Sequence, residues 1–437
     1  MVRFLFALFL LVPLFGADDI VVQLHTKGQL SPLYISEIPE EGSGFTKGYL
    51  RQLDHILEFD FRNNGKISLV HKTLERELLG QKENFDCVKW KSLGVTYFIH
   101  PTVQNKRFSL YALNGQTGQV KQLNELVLTG DLNRDRKLLH QAHDAAFETL
   151  FHEKGIANSR ILYTLRTKES SSSESWVTEV WESDLDGANA KKLTNDGYLC
   201  VTPISITPAH FLFVSYKIGQ PKIYLGSTHG EEPKRVSFLR GNQLMPVLSP
   251  QLDKLAFISD VSGNPDLFVQ AFSPENGVMG KAQQVFSAPG ATQGCPTFSP
   301  DGESLAFVSN KDGTARVYMM RIPAPGAHLR DLHPQLISKK NRGNTSPVWS
   351  PDGTKLAYSA LTSGVRQIWI YDFERGEEWQ LTEGKTHKEN PTWAPNSQHL
   401  LFNTVADGYA ELYLINLNQK EATKISSGPG EKRFPSW

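Results

Sequence analysis

Short apolar and polar runs alternate through the second half of the chain, and one arrangement of them returns. Pro347-Val348-Trp349-Ser350 leads through Pro351-Asp352-Gly353 into Leu356-Ala357-Tyr358. The same order appears from Pro246 to Phe257, from Pro296 to Phe307 and from Pro391 to Phe402, with a weaker copy from Pro203 to Phe213. Pro435-Ser436-Trp437 begins another copy and stops. The leading prolines are 43, 50, 51, 44 and 44 residues apart. A period of about 40–50 residues marks a repeat architecture.

Each unit reads as four strands. The Pro-x-aromatic-Ser run is the first. A Ser-Pro-Asp-Gly turn follows, with Pro fixing φ and Gly accepting positive φ, so the next run folds back as a hairpin. Leu-Ala-Phe/Tyr is the second strand, rich in β-preferring residues. Runs such as Ile368-Trp369-Ile370-Tyr371 and Leu412-Tyr413-Leu414-Ile415 form the third, and a short outer strand such as Trp379–Thr382 ends the unit. Four antiparallel strands at this period describe a propeller blade. The orphan first strand at Pro435 needs three partners. Arg160–Thr164, Glu179–Asp184 and Lys192–Thr194 supply them, which predicts six blades closed by the C-terminal strand. Closure removes two exposed sheet edges.

The first part of the chain differs. Met1–Ala17 carries Arg3, a short apolar run from Phe4 to Phe15 and small residues at Gly16-Ala17. The run is too short to span a bilayer and reads as a secretory signal, so the mature chain is expected to be exported and soluble. Residues 18–155 mix periods. Helical spacing covers Thr46–Asp60. Shorter helices are expected at Thr73–Leu79 and Asp86–Leu93, and a long one over Leu132–Phe151 ended by Gly155. Strands are expected at Leu33–Ile38, Ile67–Val70, Val95–Pro101, Phe108–Leu113 and Val120–Leu126. The prediction is a small N-terminal α/β domain followed by an all-β propeller over 156–437.

Composition adds exclusions. Basic and acidic residues number 46 each, so no net field draws the chain to nucleic acid or anionic lipid. Cys87, Cys200 and Cys295 match no zinc spacing, and three unpaired thiols are expected. His140, His143 and Asp144 share a helical turn and could group around a metal, although packing roles suffice for them. No Gly-x-Ser-x-Gly elbow or phosphate loop occurs. Function is therefore sought on loops carried by the scaffold. The face at the starts of the first strands gathers Asn242, Met245, Gln293, Cys295, Asn344, Ser346 and Asn390. The Ser-rich insert Glu169–Ser175 belongs there by register.

Three features resemble the TolB family of periplasmic propeller proteins. They are the Pro-x-Trp/Phe-Ser-Pro-Asp-Gly-x-x-Leu-Ala-Phe repeat; His143-Asp144-Ala145 with Phe147-Glu148 and Leu150, followed by Glu153-Lys154-Gly155-Ile156 and Ser159-Arg160-Ile161; and the order of signal, α/β domain and six blades. The resemblance implies a non-enzymatic, cofactor-free adaptor of the Tol-Pal system, monomeric and peripheral to the membrane. It implies a peptidoglycan-associated lipoprotein on the propeller face above, with other outer-membrane proteins as further partners. It implies TolA at the N-terminal segment Asp18, Asp19, Ile20, Val21 and Val22. It also implies a part in outer-membrane integrity and constriction during cell division. The turn Gln251-Leu252-Asp253 lacks Asp-Gly, residues 169–175 are an insertion, and the N-terminal segment matches only loosely. A propeller hydrolase or lactonase and a purely structural surface protein remain as alternatives.

Overall fold

Six four-stranded antiparallel sheets account for the repeat. The structure is a computed structural model. It describes residues 20–22, 28, 30–80, 85–123, 125–168, 175–406 and 408–437. The segment read as a signal and most of the Ser-rich insert lie outside the described residues. Blade 1 holds Arg160–Lys168, Trp176–Asp184 and Lys191–Lys192; blades 2 to 6 begin at Cys200, Gln243, Gln293, Arg342 and His387. Glu431–Ser436 supplies the inner strand of blade 1, pairing Glu431 with Arg166, Lys432 with Leu165 and Arg433 with Thr164. The ring of six is closed by the C-terminus, as the repeat predicts.

An aromatic pair crosses between the second and third strands of every blade. The pairs are Tyr163–Trp181, Phe213–Tyr224, Phe257–Phe268, Phe307–Tyr318, Tyr358–Trp369 and Phe402–Tyr413. The second-strand member is fully buried in blades 2 to 6. Burying one such ring stabilises by roughly 1.5–3 kcal/mol, and the cross-strand contact adds about 0.5–1.5 kcal/mol. The hairpin turn forms as its residues demand. Gly302 and Gly353 take φ of 69° and 77°, and Ser350 N–H donates to Lys355 O at 2.9 Å. Where the glycine is missing, Leu252 takes φ 56° and Ser397 takes 57°. One outer strand departs from the short form expected. Gly277–Phe286 in blade 3 runs for ten residues, with register shifts along its pairing.

In the N-terminal region, Ser31–Ile35 pairs in parallel with Ile67–Leu69 and with the strand Tyr97–Gln104, which turns back into Arg107–Asn114. Helix α1 (Lys47–Arg62) starts at Thr46, whose hydroxyl accepts the Tyr49 N–H. Its stripe of Leu50, Leu53, Leu57 and Phe61 is buried with Leu139 and Ala146. Helices α2 (Leu74–Gly80) and α3 (Cys87–Ser92) are short, and α4 (Leu132–Phe151) is the long one. Gly155 does not end α4. His152 does, in the left-handed conformation at φ 56°, its N–H donating to Glu148 O. Gly155 instead allows close approach, because a Cβ there would lie 2.1 Å from Asp144 Oδ1. That carboxylate accepts the N–H groups of Ala157 and Asn158 at 3.0 Å each. Among the described residues no helix is long and apolar enough to cross a membrane.

Candidate functional site

The residue before the leading proline of each blade has left-handed backbone. Thr202, Met245, Cys295, Ser346, Asn390 and Phe434 take φ of 48°, 52°, 46°, 49°, 53° and 52°. None is glycine, and each such residue costs about 1–2 kcal/mol. A register shift falls at this point of every first strand. Each blade therefore carries a β-bulge facing the channel, and bulges re-aim side chains.

The six bulges and the six prolines that follow them line one cavity of about 460 Å³. Contacts run round its rim. Cys295 Sγ lies 3.6 Å from Met245 Sδ. Ser346 Oγ donates to Asn390 Oδ1 at 3.0 Å, and Asn390 Nδ2 donates to Asn403 Oδ1 at 2.9 Å. Phe434 N–H donates to the same Asn403 oxygen at 3.2 Å. Desolvation pushes the Cys295 thiol up, against the N–H and hydroxyl of Ser346, which hydrogen-bond to it and lower it. Arg366 and Glu389 form an ion pair at 3.5 Å in the wall. Glu389 is the one carboxylate among the described lining residues, and no histidine is among them.

Four of the seven expected residues meet here: Met245, Cys295, Ser346 and Asn390. Three do not. Gln293 and Asn344 are buried, and Asn344 spends its amide on Ser338 and Asn341. Asn242 holds Asp260 through its N–H and its amide, at 2.6 and 2.7 Å. The bulge explains the split. In an unbroken strand, residues one and three before the proline share a face. The bulge ends that alternation, and the ring three before the proline, Cys200, Gln243, Gln293, Asn344, Lys388 and Lys432, is buried throughout. Thr202, Arg366, Glu389 and Phe434 line the cavity without having been singled out. The recurring position before proline was the signal for Thr202 and Phe434.

The grouping of His140, His143 and Asp144 forms only in part: His143 Nδ1 lies 3.1 Å from Asp144 Oδ1, and His140 turns to other partners. His140 Nδ1 bonds Asp60 at 2.7 Å. His143 packs edge-on against Phe61, 4.6 Å between centroids. Asp144 is held by the Ala157–Asn158 turn. The three cysteines are free thiols.

A second feature lies on the outer side of the ring. Val21–Val22 pairs antiparallel with Thr382–Glu383, and Val21 also bridges Glu421. Ile20 and Val22 are buried with Ile368, Leu381, Trp393 and Phe402 of blades 5 and 6. Asp18 and Asp19 lie outside the described residues. Thr382–Glu383 runs into His387–Trp393, the strand that carries Glu389 and Asn390.

A family model described as the TolB beta propeller domain matches residues 147–437. A "Protein TolB homolog" of Protochlamydia amoebophila is 45% identical over 383 residues, 85% of this chain and 82% of that protein. Its namesake in Chlamydia caviae is 38% identical over 387 residues, covering 88% and 85%. The crystal structure of TolB from Acinetobacter baumannii matches with a TM-score of 0.72 at 20% identity, over 96% of this chain and 99% of that one. At that identity it speaks for the fold.

Proposed function

The chain belongs to the TolB family, and on that premise we propose that it acts in the periplasm as a non-enzymatic adaptor of the Tol-Pal system. The open cavity takes a peptidoglycan-associated lipoprotein, and the N-terminal segment takes TolA. This linkage serves outer-membrane integrity and envelope constriction in division. The observation that carries the reading is the ring of six bulged residues at the channel mouth. A rigid, preorganised rim lowers the entropy cost of docking, and backbone strain of this kind clusters at ligand clamps. The cavity's scarcity of carboxylates and histidines supports an adaptor over a hydrolase or lactonase, which needs converging acid–base groups.

The N-terminal segment supports the second half. Extended segments add to sheet edges, and Val21–Val22 already does so on its own propeller. Docked there, it is withheld from TolA. The docking strand continues into the strand that lines the cavity, so an occupant of the cavity biases docking if it favours one state.

Calorimetry with purified lipoprotein tests the first site. Asn390→Arg and Met245→Arg should each weaken binding at least about tenfold, a cost of roughly 1.4 kcal/mol. Unchanged affinity in both would remove the cavity from the interface. Deleting residues 18–24 should abolish TolA capture and leave lipoprotein affinity intact. Equal TolA capture by the deleted protein would remove the segment's assigned role.

A further inference from the structure

Helix α4 and blade 1 meet at a buried polar cluster away from the channel. His140 is 2% exposed. Its Nδ1 is bonded to Asp60 at 2.7 Å. Its Nε2 has no hydrogen-bond partner, and lies 3.7 Å from Asp186 Oδ2. Asp184 completes the group, with one ligand-capable atom from each of His140, Asp184 and Asp186 within 4.8 Å of the others. Asp60 and His140 come from α1 and α4, whereas Asp184 and Asp186 come from the end of the third strand of blade 1 and its turn.

We propose that His140 Nε2 and the Asp184 and Asp186 carboxylates form a site for one divalent first-row transition ion of the zinc type, stapling α4 to the propeller. The donor set fits. One imidazole nitrogen and two carboxylate oxygens leave a fourth tetrahedral position for water. Ligand atoms around such an ion sit roughly 3.3 Å apart given metal–ligand bonds near 2.0–2.2 Å, so the group closes from within 4.8 Å by approaches of up to about 1.5 Å, with Arg136 giving up the Asp186 oxygen it contacts. Asp60 stands where a metal-binding histidine places its orienting carboxylate. It accepts the Nδ1 proton and leaves the Nε2 lone pair facing the other two acids.

Charge points the same way. Arg136 contacts Asp186, and Arg160 contacts Glu182 and Asp184 at 3.1 and 2.8 Å, while Asp60 faces His140 alone among these groups. Three acids meet two guanidiniums there, so the cluster favours an added cation. Both aspartates keep hydrogen bonds that fix them: Asn189 Nδ2 donates to Asp184 Oδ2 at 2.6 Å, and Ala188 N–H donates to Asp186 Oδ1 at 3.0 Å. A cavity of about 520 Å³ reaches two of the three ligands, His140 and Asp184, and is lined also by Glu182 and Arg160.

The competing occupant is a second proton on His140, whose Nε2–H would then face Asp186. The test uses the full-length protein stripped with chelator and titrated with Zn²⁺ alone. Calorimetry should show one equivalent bound and melting should shift upward, while Mg²⁺ does neither. His140→Gln and Asp184→Asn should each weaken Zn²⁺ binding at least about tenfold, and Asp60→Asn by about 10–100-fold through the lost orientation of the ring. If His140→Gln does not fold, the ¹⁵N resonance of Nε2 in the unaltered protein decides. It moves on Zn²⁺ addition if the site is real. No heat and no melting shift, binding undiminished in Asp184→Asn, or a doubly protonated His140 unmoved by Zn²⁺ would each overturn the proposal.

Discussion

His399 donates its Nε2 proton to the carbonyl oxygen of Asn63 at 2.7 Å, across 336 residues of sequence. His399 opens the second strand of blade 6, and Asn63 caps the C-terminal end of α1. The carbonyl can only accept, so the tautomer is fixed and Nδ1 faces the Asn396 side chain. Around this bond the Asn63 side chain accepts from Thr423 Oγ1 at 2.6 Å, and Asn418 donates to Gly65 O at 3.1 Å. The carbonyls just past the end of α1 are thus satisfied by side chains of blade 6, as helix ends require.

The burial of His399 at this junction sets an acid limit. Burial drives the His399 pKa from 6.5 down to about 4, outweighing the Asn63 contact that raises it. The folded state then binds fewer protons than the unfolded state between pH 6.5 and 4. Its contribution is complete above pH 6.5 and is lost as pH falls through 4. The gap is worth on the order of 3 kcal/mol. Urea unfolding at pH 7 and pH 4.5 should show the loss, and His399→Gln should flatten this part of the profile. An identical acid dependence in that variant would assign it elsewhere.

Ring closure can be probed by removing residues 431–437. Truncation exposes the edge of Arg160–Lys168 and strips Arg166 of its 3.1 Å contact with Glu431. It also uncovers Leu162 and Leu165. Open edges invite pairing between chains. The truncated protein should melt far below the full chain and elute partly as aggregate. A melting temperature within about 2 °C of the full-length value would show that the last strand is dispensable.

The repeat was legible because each blade repeats the same demand. Proline marks the first strand, a Pro-containing turn with Gly or Asn in blades 4 to 6 reverses it, and an aromatic residue fills the space between blades. The ring and its closure at residue 160 follow from counting those demands. Local backbone shape was not legible. Nothing in Met245-Pro246 or Asn390-Pro391 announces left-handed φ, since residues before proline favour extended backbone. Gln293 and Asn344 were therefore assigned to the rim when the bulge buries them. Contacts between distant segments were equally hidden. The partner of His140 is Asp60, eighty residues away, and helical spacing suggested His143 and Asp144 because they were near in sequence. Gly155 was read as a helix stop when its role is to let Asp144 approach.

Two glycines should rank by mechanism. Gly353 has φ 77°, and a Cβ there would meet Pro300 Cγ at an ordinary 3.6 Å. Gly353→Ala pays only for the left-handed backbone, about 1–2 kcal/mol. Gly155 carries no positive φ, but its Cβ would lie 2.1 Å from Asp144 Oδ1 and 2.9 Å from Asp144 Cα. Something must move at the junction of α4 and blade 1, and Gly155→Ala should cost more, above roughly 2 kcal/mol. Denaturant midpoints in the reverse order would refute the assignment of strain to turn and junction.

Cys200 should be the last thiol to react. Its side chain is fully buried in blade 2, with Sγ 3.7 Å from Glu179 and 3.8 Å from Asp196. Desolvation first, then the two carboxylates, push its pKa far above the thiol range. The thiolate is the reactive form, so labelling must wait for a local or global opening. Cys87 is only half-buried. With a thiol reagent at pH 8 and mass-resolved quenching, Cys87 should be modified first. Cys200 should lag an unfolded thiol by at least about a thousandfold, catching up only in denaturant. Simultaneous modification of the three in native buffer would mean that blade 2 opens freely, and that the inner ring of buried side chains is not the rigid support the channel rim requires.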